Sequence, residues 1–575
     1  MTEVTILDGY VDEPTCLGVP PYISPYPRYI AGAIWTVDPS IPIQYYTIDD
    51  FRNKPGLKSQ LEKSNIVIAI AGVSVPGKYL ASYPMSPKET EHIFSSLHHP
   101  QKILCGPAAQ IGYGLHGGKK PQKLKKFYSF FDEIVSGDSE IFFYDYFLKN
   151  DSIDAISPRI TRKNSHQIHE FAINGASLVN QHPYYPNRLL AEIETFRGCP
   201  RAIVGGCSFC SEPQKGQPDF RPINDIVSEV KALYDHSIRH FRLGNQPCIF
   251  SYMAQNASKK EFPTPNPEAI RELFHRIRQV TPKLRTLHVD NANPGVLARH
   301  PEKSKQVAEI IVKYHTPGDV AAFGVESVDP QVIDFNNLKA TSDQVFTAIQ
   351  LLNEIGKNRG TNGLPEFLPG LNFLFGLPGE RKKTFQLNLA FLKKIIKENL
   401  LVRRINIRQV IPLPHSSLDN SDTEKRMKKH RSQFIQFKKT VALNINAPLL
   451  KRMLPVGTVL KDVITEKKQG KIVFGRQMGS YPLLIGIIAN VFLHQNINVT
   501  VVDHGFRSVT AIPHPLNINK ATLNTLQALP MIGKKRAMRL IRNRPYLKPE
   551  EIIAVFDDKQ VGKQLIELIS FTTKP

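Results

Sequence analysis

Cysteine and tryptophan are scarce in this sequence, with six and one respectively among 575 residues. So few thiols in so long a chain do not form the disulfide framework of a small secreted domain. The longest apolar run, residues 483–493, is too short to cross a bilayer. The first residues also lack a basic segment followed by an apolar one. We therefore expect a cytoplasmic protein without membrane association.

Acidic residues are the second shortage, because Asp and Glu number 51 against 74 Lys and Arg. The excess of positive charge is clustered. Residues 117–126 contain five Lys and no acidic residue. Residues 424–452 contain nine basic residues and one acidic residue, and residues 533–548 contain seven basic residues and no acidic residue. Such clustering favours contact with a polyanion, since each neutralised phosphate releases counterions. Solubility or thermostability explains any single segment equally well.

Half of the cysteines lie in one loop. Cys199, Cys207 and Cys210 occur in ETFRGCPRAIVGGCSFC, directly after a strand-like run. Three thiolates on a short segment can hold three irons of a cubane cluster and leave the fourth iron open to an exogenous ligand. A zinc knuckle, a disulfide with an odd thiol, and merely buried cysteines are the alternatives. A structural zinc ion usually has four protein ligands, and no second Cys-x2-Cys pair or His at ligand spacing follows closely in this sequence.

The whole chain of 575 residues, 41% of them apolar, is long enough for about three to four domains. Its first 180 residues predict a small α/β layer. Its strand signals are VTILDGY, NIVIAIAGVSV, KILCG and EIVSGDSE, short apolar runs that end in glycine-rich turns. This Rossmann-like layer resembles the cobalamin-binding-like domain found ahead of many radical enzymes. The D-x-H-x-x-G motif of that domain is absent, so the resemblance implies the fold alone. Cys16 and Cys105, each near a predicted strand end, are expected to be buried structural thiols rather than ligands.

Residues 190–415 contain six further strand signals with helical segments between them: AEIETF, RHFRLG, LRTLHVD, VAAFGVES, LNFLFGL and RRINIRQVIPL. Six such units in series predict a partial (β/α)6 TIM-like barrel. The active site of such a barrel lies at the carboxyl ends of its strands. The cysteine loop follows the first strand and so belongs to that site. Asp290 and His415 are also expected to point toward the barrel mouth.

This region resembles the core of the radical S-adenosylmethionine (SAM) superfamily. Members carry a C-x3-C-x2-C loop after the first strand with an aromatic residue before the last cysteine, a position that Phe209 fills. The first gap here is seven residues long, and Gly205 and Gly206 would let the extra residues loop outward. The resemblance implies that Cys199, Cys207 and Cys210 bind a [4Fe-4S] cluster.

Three later strand ends match the same superfamily in order. RLGNQP corresponds to the turn that, in the superfamily, receives the methionine ammonium group of SAM. GVES corresponds to the strand end whose carboxylate accepts hydrogen bonds from the ribose hydroxyls or the amino group of SAM. FGLPGE corresponds to the turn that approaches the adenine, where Leu374 would cover the ring. The alternative for RLGNQP is an ordinary turn. The alternative for GVES is a carboxylate that pairs with a neighbouring arginine. The implied SAM-binding residues are Gly244, Asn245, Gln246, Glu326, Ser327, Gly376, Pro378 and Gly379.

Two smaller units are predicted after the barrel. Alternating short strands over 454–515 predict a small β-barrel, which resembles the TRAM domain of tRNA-modifying methylthiotransferases. Residues 520–575 resemble a helix-hairpin-helix motif around LPMIGKKRAMRLI, in which Gly533 permits the tight turn. The resemblance implies phosphate contacts from the second helix. An intramolecular or protein-protein hairpin is the alternative. The implied nucleic-acid-binding residues are Gly533, Lys534, Lys535, Arg536 and Arg539.

The order of domains resembles an uncharacterised, mainly archaeal family of radical SAM proteins with a C-terminal helix-hairpin-helix. The resemblance implies reductive cleavage of SAM to a 5′-deoxyadenosyl radical, with electrons from a donor such as ferredoxin or flavodoxin. The two basic C-terminal units favour a nucleic acid as substrate, RNA rather than DNA, and tRNA in particular. The same chemistry on a protein or small molecule is one alternative. A nucleic-acid-binding protein with a structural or redox-sensing cluster is another.

Overall fold

The apolar runs near the N-terminus form a parallel sheet in a computed structural model, which describes residues 2–13, 16–72, 80, 82–114, 116–122, 125–149, 153–419 and 422–571. Its first strands are β1 Val4–Asp8, β2 Tyr22–Ile23, β3 Ile43–Thr47, β4 Ile66–Ile70, β5 Gln101–Cys105 and β6 Glu133–Ile134. Five of them pair in the order β3-β1-β4-β5-β6, all parallel, whereas β2 joins the barrel described below. This strand order is that of a doubly wound sheet and confirms the predicted layer. Residues 73–75 of the second predicted strand lie outside the described residues.

Helix α1 joins the N-terminal sheet to the rest of the molecule. It lies against α6 and α7, and its contact with α7 depends on two glycines. A Cβ on Gly32 would lie 1.8 Å from the Phe171 carbonyl oxygen, and one on Gly175 would lie 1.9 Å from that of Arg28. Only glycine therefore allows this approach. The helices of this region are α1 Pro25–Val37, α2 Ile48–Asn53, α3 Leu57–Lys63, α4 Pro87–Phe94, α5 Pro107–Gln110, α6 Ser139–Lys149 and α7 His169–Asn174.

All six strands predicted for the barrel are present and run parallel. The strands of this region are β7 Leu190–Glu194, β8 Phe196–Arg197, β9 Asp219–Phe220, β10 His240–Gly244, β11 Thr286–Val289, β12 Asn291–Ala292, β13 Asp319–Glu326, β14 Phe367–Phe375 and β15 Arg404–Gln409. The six predicted strands, with β2 and β12, form two sheets, β2-β7-β10-β11 and β12-β13-β14-β15, whereas β8 and β9 pair with each other in a separate antiparallel sheet. Asp290 separates β11 from β12, and its carbonyl accepts from the Ala322 amide at 3.0 Å. The two sheets therefore form one curved wall, the predicted partial barrel.

Alternate side chains of the barrel strands face opposite sides. Phe241 and Leu243 of β10 are buried in the core with the helices, whereas Arg242 between them is buried on the inner side against Glu192 of β7. The interior, which we call the lumen, is consequently polar. The surrounding helices are α8 Ile223–Asp235, α9 Pro267–Val280, α10 Pro294–Arg299, α11 Pro301–Tyr314, α12 Pro330–Phe335, α13 Ser342–Gly356 and α14 Lys382–Lys397.

The predicted small β-barrel is also present. Helices α15 Thr423–Lys429, α16 Arg431–Val441 and α17 Ala447–Met453 lead to it. Its five strands are β16 Val459–Gln469, β17 Ile472–Gln477, β18 Leu484–Ile487, β19 Asn496–His504 and β20 Ser508–Pro513, and they close in the order β16-β17-β18-β20-β19. Leu364 and Leu368 of the large barrel share its apolar core, so the two barrels pack directly together.

The C-terminal unit has an apolar core of its own. Its elements are β21 Leu516–Asn517, α18 Leu523–Gln527, α19 Lys534–Arg542, α20 Pro549–Ala554, α21 Lys559–Ile566 and β22 Ile569–Ser570. Parallel pairing of β21 with β22 ties its two ends together. The helix-hairpin-helix assignment stays a prediction. Across the described residues, none of the helices combines the length and the hydropathy that a membrane span requires.

Candidate active site at the cysteine loop

The seven residues between the first two cysteines form a compact outward turn. Cys199 precedes a short 3-10 helix, Pro200–Val204, and Gly205 and Gly206 have φ angles of +76° and +70°. Those left-handed conformations suit glycine and return the chain to Cys207. Ile203 and Val204 are exposed at the tip. The longer gap thus leaves all three cysteines in one loop at the end of β7.

Two cationic side chains lie beside the thiols. The Arg201 guanidinium donates from Nη1 to Cys207 Sγ at 2.8 Å and from Nε to Glu261 Oε1 at 2.8 Å. Burial opposes the charge of Lys339, but Cys207 and Glu326 nevertheless raise its pKa above the ordinary value. An anionic cluster held by three thiolates would be stabilised by this positive charge.

Burial disfavours the thiolate form of Cys199 and Cys210 in the absence of iron. Burial raises the pKa of Cys199 to about 11 and that of Cys210 to about 12, and the nearby Cys207 adds to both shifts. Cluster assembly must therefore displace protons. Over the described ranges no group of three or more His, Cys, Asp or Glu side chains is arranged to hold a metal ion, and this holds for the three thiols of the loop as well.

The turn after β10 is shaped by buried carboxylates. A Cβ on Gly244 would lie 2.3 Å from Glu192 Oε1, so this position excludes every larger residue. Asn245 has a φ of +50° and donates from Nδ2 to Glu194 Oε2 at 2.8 Å. Gln246 is fully buried beside them, and its carbonyl accepts from Asn291. The turn lies at the carboxyl edge of the strands, and its role in SAM binding stays a prediction.

Glu326 at the end of β13 is a strained and buried carboxyl group. Its φ is +61°, and burial raises its pKa to about 7, although Lys339 and Arg408 act in the opposite direction. Ser327 next to it has a local structural contact, since its hydroxyl accepts from the Asp329 amide at 3.2 Å. Strain at a polar, buried strand end is typical of functional sites.

The turn after β14 is held from two sides. Gly376 and Gly379 have φ angles of +92° and +82°, and the Gly376 amide donates to Glu380 Oε2 at 2.8 Å. Phe209 of the cysteine loop packs in one apolar cluster with Leu374 and with Leu377 of this turn. The cluster places an apolar surface between the cysteine loop and the predicted adenine turn.

Asn336 and Asn337, which follow α12, connect these parts and were not identified from the sequence. Asn337 Nδ2 donates to the carbonyls of Val204 at 2.9 Å and Gly206 at 2.8 Å, and its Oδ1 accepts from Arg201 at 3.0 Å. Asn336 accepts from the Ser208 hydroxyl at 2.7 Å and donates to the Pro378 carbonyl at 2.8 Å. The pair therefore fixes the cysteine loop relative to the Gly376 turn. An N-N dipeptide in a loop carries no signal for such contacts.

Three expectations about single residues were wrong. Asp290 does not project freely at the mouth, because it pairs with Arg242 at 2.5 Å inside the lumen and accepts from the Tyr481 hydroxyl at 2.6 Å. His415 is solvent-exposed in a loop. Cys16 is buried as expected but does not share a sheet edge with Cys105, since its neighbour Leu17 donates to Glu192 of the barrel.

Ion pairs from the N-terminal layer hold the residues that precede the cysteine loop. Arg197 lies two residues before Cys199, and its guanidinium pairs at 2.7 Å with the carboxylate of Asp138 in the GDSE turn. Arg162 pairs with Glu194 at the end of β7, also at 2.7 Å. The acidic turn therefore contacts the base of the cysteine loop, a role that its resemblance to a cofactor turn did not indicate.

Comparison with known proteins identifies the family. Residues 193–392 match the model of the radical SAM superfamily. An uncharacterised protein of Methanocaldococcus jannaschii is 48% identical over 510 residues, which cover 88% of this chain and 92% of that protein. The chain belongs to the radical SAM superfamily. Radical SAM proteins are enzymes that use a [4Fe-4S] cluster and SAM.

Two further matches are more distant. A tRNA-2-methylthio-N(6)-dimethylallyladenosine synthase of Vesicomyosocius okutanii is 22% identical over 293 residues, 50% of this chain and 58% of that enzyme. A solved structure of the radical SAM methyltransferase TsrM from Kitasatospora setae is 14% identical, with a TM-score of 0.49. That alignment covers 73% of this chain and 75% of the other.

The residues of the loop fit the cofactors of this radical SAM enzyme. Three thiols share one short segment and have two cationic neighbours, and soft sulfur donors are the ligands that iron-sulfur clusters require. Glycine-lined turns and the Glu326 carboxyl lie at the neighbouring strand ends. When bound, a cluster and SAM would supply radical chemistry, and these residues would bind and orient them and exclude water.

The residues predicted to bind nucleic acid lie together at the start of α19, but they differ in availability. Lys534 and Lys535 are exposed. Arg536 donates to the Met531 carbonyl at 2.7 Å, and Arg539 pairs with Asp557 at 3.2 Å. Gly533 has a φ of −78°, so the left-handed residue of this turn is Met531, with a φ of +61°. Gly533 therefore has an ordinary φ, and its place in a helix-hairpin-helix turn stays a prediction.

Proposed function

We propose that this radical SAM enzyme modifies RNA, with tRNA as the most specific candidate. The observation that carries the substrate class is the exposed Lys534–Lys535 pair at the start of α19, in a C-terminal unit beside a closed five-stranded barrel. Backbone amides at a helix start and adjacent lysines together bind phosphate. The partial similarity to a tRNA-modifying enzyme agrees with this substrate class.

In the proposed reaction Cys199, Cys207 and Cys210 hold the cluster. The turn at Gly244–Gln246 receives the methionine end of SAM, Glu326 accepts from its hydroxyl or amino groups, and the Gly376 turn holds adenine. These residues would hold the cluster and SAM beside the substrate, and the two cofactors would supply the radical chemistry. A one-electron donor such as ferredoxin or flavodoxin reduces the cluster.

The proposal is tested with protein reconstituted under anaerobic conditions. The reduced enzyme is incubated with SAM in the presence and absence of total tRNA, and 5′-deoxyadenosine is quantified. We expect tRNA to bind and to stimulate SAM cleavage. Cleavage that RNA does not stimulate, by a protein that does not bind RNA, would contradict the substrate assignment.

A matched pair of variants locates the RNA contact. K534A/K535A removes both exposed lysines of α19, whereas K559A/K563A removes two exposed lysines of α21 in the same unit. We expect only the first to weaken tRNA binding and to reduce the slope of log affinity against log salt, by roughly one to two units. Equal loss in both variants would indicate nonspecific attraction by net charge.

A further inference from the structure

The last barrel strand carries arginines on its inner face. Ile405 of β15 is buried in the core with the helices, so alternation directs Arg404, Asn406 and Arg408 into the lumen. Asn406 confirms the direction, because its Nδ2 donates to Asn372 Oδ1 of β14 at 2.8 Å. A third guanidinium arrives from the small barrel, where Arg507 donates to the Ile405 carbonyl. We call Arg404, Arg408 and Arg507 the arginine wall.

Among the described residues, no carboxylate forms a salt bridge with the arginine wall. Most of the other arginines buried in this molecule do form such a salt bridge. Arg404 donates to Asn406 Oδ1 at 2.6 Å and lies 4.0 Å from the Tyr481 ring centroid. Burial, together with repulsion from Arg408 and Arg507, lowers the pKa of Arg404 to about 10, although Tyr481 acts in the opposite direction. By contrast, Arg242 across the lumen pairs with two carboxylates. Such repulsion is relieved when an anion binds.

The lumen-facing residues of the strands beside the arginine wall are small. Gly370 lies in register with Arg404 on the neighbouring strand β14. On the next strand, alternation places Ala322 and Gly324 toward the lumen beside Val320, which borders Gly370. Arg408 interacts electrostatically with Glu326 at the mouth, whereas Arg404 lies deeper, beside Tyr481. The wall thus extends inward from the predicted SAM site.

We propose that the arginine wall binds a phosphate group of the substrate. Guanidinium groups match phosphate oxygens with paired hydrogen bonds, and their charge is permanent. A phosphate held beside the strand ends would fix a nucleotide unit next to the SAM site. This inference rests on the proposed function for the kind of substrate, and both a phosphodiester and a terminal phosphate have the required chemistry.

The test measures phosphate binding by the full-length, reconstituted and SAM-loaded protein. Isothermal titration at constant ionic strength uses inorganic phosphate, uridine 5′-monophosphate and the dinucleotide UpU as probes. We expect R408Q to weaken phosphate binding about tenfold or more, because a charge-assisted contact is lost, and R408K to retain most of it. R271Q, at an exposed position on α9, is the matched control and binds as the wild type does. SAM affinity is measured at pH 9, where Glu326 is ionised even without the Arg408 charge, and stays within about twofold in all three variants.

The outcomes separate this inference from the proposed function. Unchanged phosphate affinity in R408Q would contradict phosphate binding by the arginine wall. Parallel loss of SAM and phosphate binding would also contradict it, because Arg408 would then belong to the SAM site. A wild-type protein that binds phosphate through Arg408 but does not bind RNA would keep the wall and reject the RNA substrate. Preference for UpU over uridine 5′-monophosphate would identify the bound group as a phosphodiester.

Discussion

At the scale of single residues, the proposed chemistry depends on three thiols, and burial favours the protonated form of two of them, Cys199 and Cys210, until iron arrives. Burial holds the pKa values of Cys199 and Cys210 near 11 and 12, while Arg201 donates to Cys207. Metal binding must therefore offset deprotonation, and the cationic neighbours reduce its cost. The other three cysteines are also buried but lie apart from this loop.

Replacement of any loop cysteine should remove the cluster. We expect C199S, C207S and C210S each to lose most of their iron and sulfide after anaerobic reconstitution, because a serine hydroxyl does not replace a thiolate toward iron. C105A, at a buried thiol of β5, serves as the control and should retain the wild-type iron content. Full iron content in C199S would mean that another ligand replaces the first cysteine.

Glu326 should make SAM binding depend on pH. Its pKa lies near 7, and only the ionised carboxylate accepts hydrogen bonds from SAM at both oxygens. Affinity therefore falls as pH drops through 7, and we expect it to be about tenfold weaker at pH 6 than at pH 8. E326Q cannot ionise and should bind SAM weakly with a flat profile. Equilibrium binding between pH 6 and 8 checks this, and equal pH dependence in both proteins would contradict the role.

At the scale of elements, the loop after α12 is the connection between the cysteine loop and the turn after β14. Asn337 has a φ of +47°, so glycine removes its side chain without adding backbone strain. We expect N337G to lose three hydrogen bonds, to lower the free energy of unfolding by about 1–3 kcal/mol and to release iron faster to a chelator. N224A on α8 is the control. An unchanged rate of iron release in N337G would show that the loop does not support the cluster.

The elements themselves were largely predictable, whereas their side-chain connections were not. The six barrel strands are short apolar runs that end at turns, and β10 and β13 were identified together with the turns that follow them. Strand β3 escaped prediction because Gln44 and two tyrosines interrupt its apolar pattern. Contacts such as Asn337 to Gly206 join positions 131 residues apart and leave no periodic trace in the sequence.

At the scale of the whole molecule, the N-terminal layer and the large barrel share one apolar core and one buried ion network. Glu229 of α8 pairs with Arg28 of α1 and with Arg221, each at 2.6 Å and fully buried. The small barrel is equally integrated, since the Ser480 amide donates to His288 and the Tyr481 hydroxyl to Asp290 in the lumen. Domain order was readable from the sequence, but this interlocking depends on loops without a motif.

Removal of the shared carboxylate should destabilise both units together. E229Q leaves two buried guanidinium groups without their counter-charge, so we expect the free energy of unfolding to fall by about 3–5 kcal/mol. Urea unfolding followed by circular dichroism and by tryptophan fluorescence checks this, because the single tryptophan, Trp35, lies on α1. E309Q, on an exposed face of α11, should change stability little. Separate transitions in the two signals would contradict a common folding unit.

The central claim is that the cysteine loop holds a cluster whose open iron binds SAM. The most direct measurement is the EPR spectrum of the reconstituted, reduced protein before and after addition of SAM, together with its iron and sulfide content. The account predicts about four irons and four sulfides per chain and a cluster signal that SAM shifts. A stable cluster whose signal SAM leaves unchanged, or a protein that incorporates no cluster, would contradict it.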